Sequence, residues 1–179
     1  MLQRISKSDP QLRAWMANHY SAPKGFVGRQ LIYKIVVAGV CYGAIAAGSA
    51  TRFLPGRTEF FKREVPLNNL VNNTFFHIEK QANRYPTRNF ATKCVEWWRW
   101  TVLDDWLLCY GDVVDGFETL VELPRTGELY KKDGWSEVGI TKGYTCKRVA
   151  GKGTDNWTGK RVWDTTNLRP KRVFVRGIA

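Results

Sequence analysis

The feature that most constrains the fold is a strand, turn and helix pattern between residues 67 and 105. The run NNTFFHIE within 67–79 suits a strand, and the basic turn RYPTRN follows it closely. Apolar residues at Ala91, Cys94, Val95, Trp98 and Val102 recur at helical spacing and predict a helix over 91–105. The free N–H groups at the start of such a helix form an anion site suited to phosphate. The residues predicted around this phosphate site are Arg84, Arg88, Asn89, Phe90, Ala91, Thr92 and Lys93.

Helices and strands alternate along the rest of the chain. Ser8-Asp9-Pro10 predicts a helix start, and that helix should end near Tyr20. Residues 30–50 predict two strands with a turn at Ala38-Gly39, and the second strand is rich in glycine and alanine. The remaining expectations are a loop over 51–66, a buried strand over 106–110, an ambiguous segment over 116–122, a short helix ELYKK that Gly134 ends, and a last strand over 135–140.

The charge balance favours a polyanionic partner. The net charge is +12, from 28 Lys and Arg against 16 Asp and Glu, and nucleic acid is the simplest partner of that kind. From 142 to 179 basic residues far outnumber acidic ones and aromatic residues lie between them, so residues 146–179 are predicted as a basic extension of a domain at 1–145. A solvated basic face is the alternative. The predicted nucleic-acid-binding residues here are Lys142, Lys147, Arg148, Lys160, Arg161, Arg169, Lys171 and Arg172.

Cysteine and histidine usage is uninformative about metals and disulfides. The four cysteines are far apart with no CxxC pair, which suits a reducing compartment. Only two histidines occur, far apart in sequence, so no metal site is predicted. The N-terminus lacks an apolar segment typical of a signal peptide, and the longest apolar run is too short to cross a bilayer. These features predict a cytoplasmic protein with no membrane partner.

Several polar residues are candidates for catalysis or base recognition. Asp112 follows the predicted strand WLLCY and could act as a base, or it could cap a turn. Glu118 in GFETLVE could orient an acceptor, or it could be a solvated charge. His19 and Tyr20 end the first helix, where they could supply a general base or a metal contact. Asn73 can read a base edge, although asparagines also make turns.

Parts of the chain resemble a known superfamily. The stretch GELYKKDGWSEVGITKG at 127–143 resembles the end of a GNAT acyltransferase domain, in which a helix carrying tyrosine stops before a glycine-aromatic pair. The wider segment over 110–143 is similar to the Mom family of phage DNA-modification proteins. HYS, YKIVVAGVCYGAIAAGSA and NNTFFHIEKQ followed by NFATKCV fit the same pattern, and the resemblance covers roughly residues 15–145.

The resemblance implies a fold, a cofactor and a catalytic acid. The expected fold is α+β and GNAT-like, with a central mixed, mostly antiparallel sheet flanked by helices. The expected cofactor is acetyl-CoA or another acyl-CoA, and Tyr130 would give a proton to the leaving thiolate. A packed tyrosine in a capped helix is the alternative. The glycine signature usual in these enzymes, Q/RxxGxG/A, is replaced here by RYPTRNFA, so only Arg84, Arg88 and the helix start remain comparable.

Three functions follow as hypotheses. The first is a phage-type, Mom-like enzyme that transfers an acyl-derived group to a base flipped out of double-stranded DNA and so counters restriction in the host cytoplasm. The second is an N-acyltransferase acting on a hypermodified thymidine or a small amine. The third is a nucleic-acid-binding protein without catalysis. The sequence leaves open the modified base, the transferred group and the oligomeric state, a dimer included.

Overall fold

The computed structural model describes residues 1–20, 25–80, 85–149 and 160–178. Its strands and helices alternate much as the sequence patterns predict. In chain order they are β1 (Leu2–Ile5), α1 (Pro10–Asn18), β2 (Gln30–Val37), β3 (Val40–Ser49), α2 (Arg57–Phe61), a 3₁₀ turn (Leu67–Asn69), β4 (Leu70–Ile78), α3 (Phe90–Tyr110), β5 (Gly116–Glu122), α4 (Glu128–Lys132), β6 (Ser136–Ile140), β7 (Thr145–Val149), β8 (Lys160–Asp164) and β9 (Lys171–Gly177).

One mixed sheet organises the molecule. Its strand order is β1-β2-β3-β4-β5-β9-β6, and β7 pairs with β8 in a separate two-stranded ribbon. Every neighbouring pair in the sheet is antiparallel except β4 and β5, which are parallel. The predicted α+β class, with a mixed and mostly antiparallel sheet flanked by helices, is therefore confirmed.

Helices cover both faces of this sheet because its strands alternate apolar side chains between the two faces. On one face, Trp98, Val102 and Trp106 of α3 pack against strand residues such as Ile45 and Phe117. On the other face, Leu12 and Trp15 of α1 pack against Ile32, Ala44, Ala46 and Phe75. The small side chains of β3 let α1 approach the sheet closely, as the glycine- and alanine-rich pattern predicts.

Local start signals predicted the first helix and hairpin correctly. The Asp9 carboxylate accepts hydrogen bonds from the N–H groups of Gln11 and Leu12 at the start of α1. The turn between β2 and β3 lies at Ala38-Gly39, where both residues have positive φ angles. Each signal depends only on residues within one turn of the chain, which is why the sequence alone suffices.

Four expectations differ from the structure. Residues 106–110 form the last turns of α3 and not a strand, because Trp106 continues the buried face of the helix and the left-handed Gly111 ends it. The ambiguous segment 116–122 is the central strand β5. The predicted loop 51–66 contains the short helix α2. The strand β6 is not the last, since β7, β8 and β9 follow it.

The C-terminal part of the chain returns to the central sheet. After the β7–β8 ribbon, β9 inserts between β5 and β6 and pairs with both. The two ends of the segment that contains the ribbon lie next to each other, because the Arg169 N–H donates to the Gly143 carbonyl at 3.0 Å. In the part of the chain that the structure describes, no helix is long and apolar enough to cross a membrane.

Candidate active site

The two parallel strands separate halfway along their length. Pairing between β4 and β5 runs from Leu70 opposite Gly116 to Asn73 opposite Thr119 and goes no further. Beyond that point β4 continues beside β3 and β5 continues beside β9. A bulge lies at the same place, because Ala46 is opposite Phe75 whereas Ala47 is opposite Asn73. The strands therefore diverge and open a cavity of about 730 Å³ between them.

Tyr130 lies at the point where the strands diverge. Gly127, at φ 71°, starts α4 against the ring of Phe174, and a side chain there would collide with that ring. The Tyr130 side chain is buried on this helix and lines the cavity. Its hydroxyl donates to Asn73 Oδ1 at 2.6 Å. Burial raises the pKa of the Tyr130 hydroxyl, while the nearby Thr119 hydroxyl lowers it, so the group stays protonated at neutral pH.

The amide of Asn73 is engaged inside the protein. Its Nδ2 donates to the carbonyls of Ala46 at 3.1 Å and Phe75 at 3.3 Å, and its Oδ1 accepts from Tyr130. The buried amide therefore already has hydrogen-bond partners inside the protein, and the expectation that Asn73 reads a base edge stays a prediction. Asn73 supports the side chain of Tyr130.

His19 and Tyr20 line the same cavity as Tyr130. His19 Nε2 lies 3.0 Å from the Phe76 carbonyl, so in the neutral ring Nε2 carries the hydrogen and donates it. Burial lowers the pKa of His19, the bond to Phe76 opposes that shift, and His77 and Arg125 lower the pKa further. A neutral imidazole at pH 7 is able to take a proton.

Glu122 and Arg125 are among the residues that line this cavity and that sequence reasoning missed. Glu122 ends β5 on the diverging part of the strand, and Arg125 follows it in the turn before α4. The Arg125 guanidinium lies 3.4 Å from the centre of the Tyr20 ring. The proline and glycine around Arg125 signal a turn, but only the separation of β4 from β5 brings that turn to the cavity.

A second cavity, of about 720 Å³, lies at the start of α3. Leu129 lines both this cavity and the first, so the two are neighbours. Asn89 precedes the helix in a left-handed conformation, and its side chain makes no capping hydrogen bond. The first N–H groups of a helix have no partner within the helix, so those of α3 are available to an anion. Lys132 of α4 also lines this cavity and was not predicted.

Most of the predicted cofactor residues come together around the second cavity. Those that line it are Arg88, Asn89, Phe90, Ala91 and Thr92. Phe90 is buried and its ring stacks on Tyr85 at 5.6 Å, which anchors the start of the helix. Lys93 lies one residue further along the helix, is exposed and does not line the cavity. Arg84 lies outside the described residues.

Two predicted catalytic carboxylates lie away from the cavity that contains Tyr130. Asp112 follows helix α3 and not a strand, and it forms an ion pair with Arg29. Glu118 is buried on β5, where it accepts from Arg57 at 2.9 Å and from the Thr51 N–H at 2.5 Å. Neither residue lines the cavity. The structure therefore does not bring either carboxylate to the cavity of Tyr130, and a role for them toward an acceptor stays a prediction.

The predicted nucleic-acid-binding residues are spread over three places. Lys147, Arg148, Lys160 and Arg161 lie on the β7–β8 ribbon, where Arg148 is opposite Arg161. Lys142 and Arg169 are exposed near the base of this ribbon. Lys171 and Arg172 are on β9, where Lys171 lines the first cavity and Arg172 forms an ion pair with Glu137 at 2.5 Å. Only part of the basic set is therefore on the ribbon.

No metal site is apparent in the described ranges. Within them, no group of three or more His, Cys, Asp and Glu residues is placed to hold an ion. The two histidines do come together, with ring centres 6.0 Å apart, although they are far apart in sequence. His77 Nε2 lies 3.9 Å from Glu79 Oε1. The cluster packs against Phe75 and α1 and supports the wall of the cavity.

Comparison with known proteins defines the class of fold. No protein-family model and no curated protein matches the chain. Solved structures do match. An acetyltransferase of Bacillus subtilis in complex with CoA is 10% identical, with a TM-score of 0.60 over 99% of this chain and 98% of that chain. A GNAT family acetyltransferase of Elizabethkingia anophelis with acetyl-CoA bound is 8% identical, with a TM-score of 0.57 over 99% and 97%.

A third solved structure extends the range of neighbours. The aminoglycoside 6'-N-acetyltransferase of Enterococcus faecium is 10% identical, with a TM-score of 0.56 over 100% of this chain and 97% of that chain. These likenesses span nearly the whole of each chain. The fold is that of the GNAT acetyltransferases.

Proposed function

We propose that this protein is an acyl-CoA-dependent acyltransferase that modifies an amino group on a DNA base, as the resemblance to the Mom family implies. The observation that carries the proposal is the position of Tyr130. Its hydroxyl lies where β4 and β5 diverge, beside the first cavity, and the second cavity at the start of α3 is a neighbour because Leu129 lines both. Two solved structures with the same fold contain CoA or acetyl-CoA.

The second cavity suits the phosphates of an acyl-CoA. The N–H groups at the start of α3 would donate hydrogen bonds to the pyrophosphate, and the positive end of the helix dipole would attract it. Such a site does not require the usual glycine signature. Arg88 and Lys132 add positive charge on the cavity wall. The acyl-CoA would supply an activated thioester carbonyl, and the pantetheine arm would reach the first cavity past Leu129.

Acyl transfer needs a base for the acceptor nitrogen and an acid for the leaving sulfur, and two residues of the first cavity would supply them. His19, neutral at pH 7, would accept a proton from the acceptor nitrogen as the new C–N bond forms. Tyr130 would donate its proton to the sulfur as the C–S bond breaks. The proton taken by His19 then returns through solvent to the tyrosinate, so the protein is restored and the products are an amide and a thiol.

A nucleobase acceptor agrees with the charge and the size of the site. The chain carries a net charge of +12, which favours a phosphate polymer. The cavity of about 730 Å³ has aromatic walls at His19 and Tyr20, and a base must leave the duplex to enter it. The basic β7–β8 ribbon would hold the DNA, because a two-stranded ribbon fits the major groove. The reaction would take place in the host cytoplasm and protect phage DNA from restriction.

Nucleoside mass spectrometry tests this function. The protein is expressed in a bacterium, and the digested genomic DNA is compared with DNA from cells expressing Tyr130→Phe. Tyr144→Phe serves as the matched control, since Tyr144 is exposed and lines neither cavity. We expect a new nucleoside with the wild type and the control, and a loss of at least about 100-fold with Tyr130→Phe.

A small amine is the alternative to a DNA base as acceptor. One neighbour of the same fold is named as an aminoglycoside acetyltransferase. If purified protein consumes acetyl-CoA with amines while cellular DNA stays unmodified, the acceptor is not an ordinary DNA base. If it neither binds nor consumes acetyl-CoA, the acyltransferase proposal fails and nucleic-acid binding alone remains.

A further inference from the structure

The amide of Asn73 is held so that one oxygen faces Tyr130. Its Nδ2 donates to two backbone carbonyls, of Ala46 on β3 and Phe75 on β4. An amide that donates both hydrogens to the backbone of a sheet cannot rotate without losing these bonds. Its Oδ1 therefore stays in place as the acceptor of the Tyr130 hydroxyl, at 2.6 Å.

The ring of Tyr130 is held as firmly as its hydroxyl. Phe174 of β9 stacks on it at 5.8 Å, and Trp135 meets it edge-on at 5.2 Å. The neighbours from β4, β5 and β9, which are Asn73, Thr119 and Phe174, do not titrate, and Tyr20 is the described titratable group that acts on Tyr130 electrostatically. On α4 itself, Glu128, Lys131 and Lys132 are exposed to solvent.

We infer that Asn73 is a positioning residue, which holds the Tyr130 hydroxyl at the divergence of the strands and keeps its proton in place until the thiolate leaves. The inference rests on the proposed acyl transfer. Asn73 acts through Tyr130, since its own amide is occupied by the protein. This is a role that neither the basic sequence pattern nor the resemblance assigns to it.

Asn73 favours the neutral hydroxyl of Tyr130 over the tyrosinate. A carbonyl oxygen stabilises the neutral phenol by accepting its hydrogen bond, and it repels the tyrosinate. After Tyr130 has given its proton to the sulfur, the tyrosinate faces Asn73 Oδ1 and regains a proton readily. Asn73 thus favours return of the acid to its active form in each turnover.

Tyrosinate absorbance tests the inference without any substrate. At about pH 10.5, where an ordinary tyrosine is mostly ionised, we expect wild type and Tyr130→Phe to show the same absorbance, because Tyr130 remains protonated. Asn73→Ala removes the acceptor and opens the space beside the cavity to water, so it should gain one tyrosinate that Asn73→Ala/Tyr130→Phe lacks. Asn69→Ala is the control, since it removes a half-buried amide that donates to Asp115 away from Tyr130, and it should gain no tyrosinate.

Asn73→Asp distinguishes positioning from a general loss of structure. This variant loses both Nδ2 donors but keeps an acceptor oxygen for the Tyr130 hydroxyl and adds a negative charge that disfavours the tyrosinate, so Tyr130 should stay protonated at that pH, the opposite of Asn73→Ala. It also serves if Asn73→Ala does not fold. An extra tyrosinate in the wild type relative to Tyr130→Phe overturns the inference, as does an unchanged titration in folded Asn73→Ala.

Turnover of acetyl-CoA separates this inference from the proposed function. We expect Asn73→Ala to lower kcat at least tenfold with little change in the KM for acetyl-CoA, and to move the alkaline limb of its pH profile to lower pH. Wild-type activity with an unchanged Asn73→Ala profile would refute the positioning role alone. A wild type without turnover would refute the proposed function, and the titration would still decide whether Asn73 holds the Tyr130 proton.

Discussion

At the scale of single residues, a buried ion pair connects α3 to the turn that follows α4. Arg99 Nε donates to Asp133 Oδ2 at 2.7 Å and Arg99 Nη2 donates to Asp133 Oδ1 at 2.9 Å. Trp135 Nε1 donates to the same carboxylate at 2.8 Å. The pair therefore fixes the position of α4, and of Tyr130 on it, relative to the core.

We expect Arg99→Met to destabilise the protein by about 3–5 kcal/mol, because it leaves the Asp133 carboxylate buried with an uncompensated charge. Arg63→Met is the matched control. It breaks a more exposed ion pair with Asp115 and should cost about 1 kcal/mol or less. Urea unfolding of both variants measures the difference, and equal losses of stability would refute the structural role of the buried pair.

His19 gives a prediction about pH. Burial lowers its pKa below the ordinary value of about 6.5, so its neutral form is favoured in the folded state. Its contribution to stability is therefore fully present above about pH 6.5 and declines as the pH falls through the lowered value. We expect the acid limb of kcat/KM to lie below about pH 6.5, and His19→Gln to remove that limb. A limb above that pH, or one retained by His19→Gln, would contradict the role of His19 as base.

At the scale of elements, the start of α3 is the part of the proposed cofactor site that a substitution can test most directly. Ala91→Asp places a carboxylate in the first turn, where it stabilises the helix by about 0.3–1 kcal/mol but repels phosphate. We expect the Tm without ligand to be unchanged or higher, and the acetyl-CoA-induced rise in Tm to be lost. Ala91→Asn has a similar shape without the charge and should keep that rise. Retention of the rise in Ala91→Asp would place the phosphates elsewhere.

The elements also differ in how well the sequence predicted them. The helix α1 and the β2–β3 hairpin carry caps and turn residues within a few positions, so their bounds followed from local chemistry. The end of α3 did not, because the apolar run WLLCY fits a buried strand as well as a helix. Packing of Trp106 against the same face as Val102 decides for the helix.

At the scale of the whole molecule, the β7–β8 ribbon is an insertion whose first and last residues lie side by side. The Arg169 N–H donates to the Gly143 carbonyl, so a hydrogen bond already connects the two ends of this insertion. The sheet is completed by β9, which follows the insertion and pairs with two strands. We therefore expect the core to fold without the ribbon but not without β9.

We expect replacement of residues 145–167 by a two-residue Gly-Ser turn to leave a folded protein that binds DNA at least about tenfold more weakly, with a shallower dependence on salt. The variant removes Lys147, Arg148, Lys160 and Arg161. Truncation after Arg169 should instead abolish folding, since β5 and β6 lose their common neighbour. Circular dichroism and binding to a duplex over a range of salt concentrations measure both outcomes. Unchanged DNA affinity without the ribbon would place the DNA surface elsewhere.

The sequence by itself determined the elements and groups whose chemistry is local. These are the capped first helix, the hairpin, the start of α3, and the short helix that carries Tyr130. The tertiary structure alone decided the separation of β4 from β5, the insertion of β9, and the contact between Asn73 and Tyr130. Caps and turns act within a few residues, whereas partners across a sheet depend on strand order and register, which no short stretch of sequence specifies.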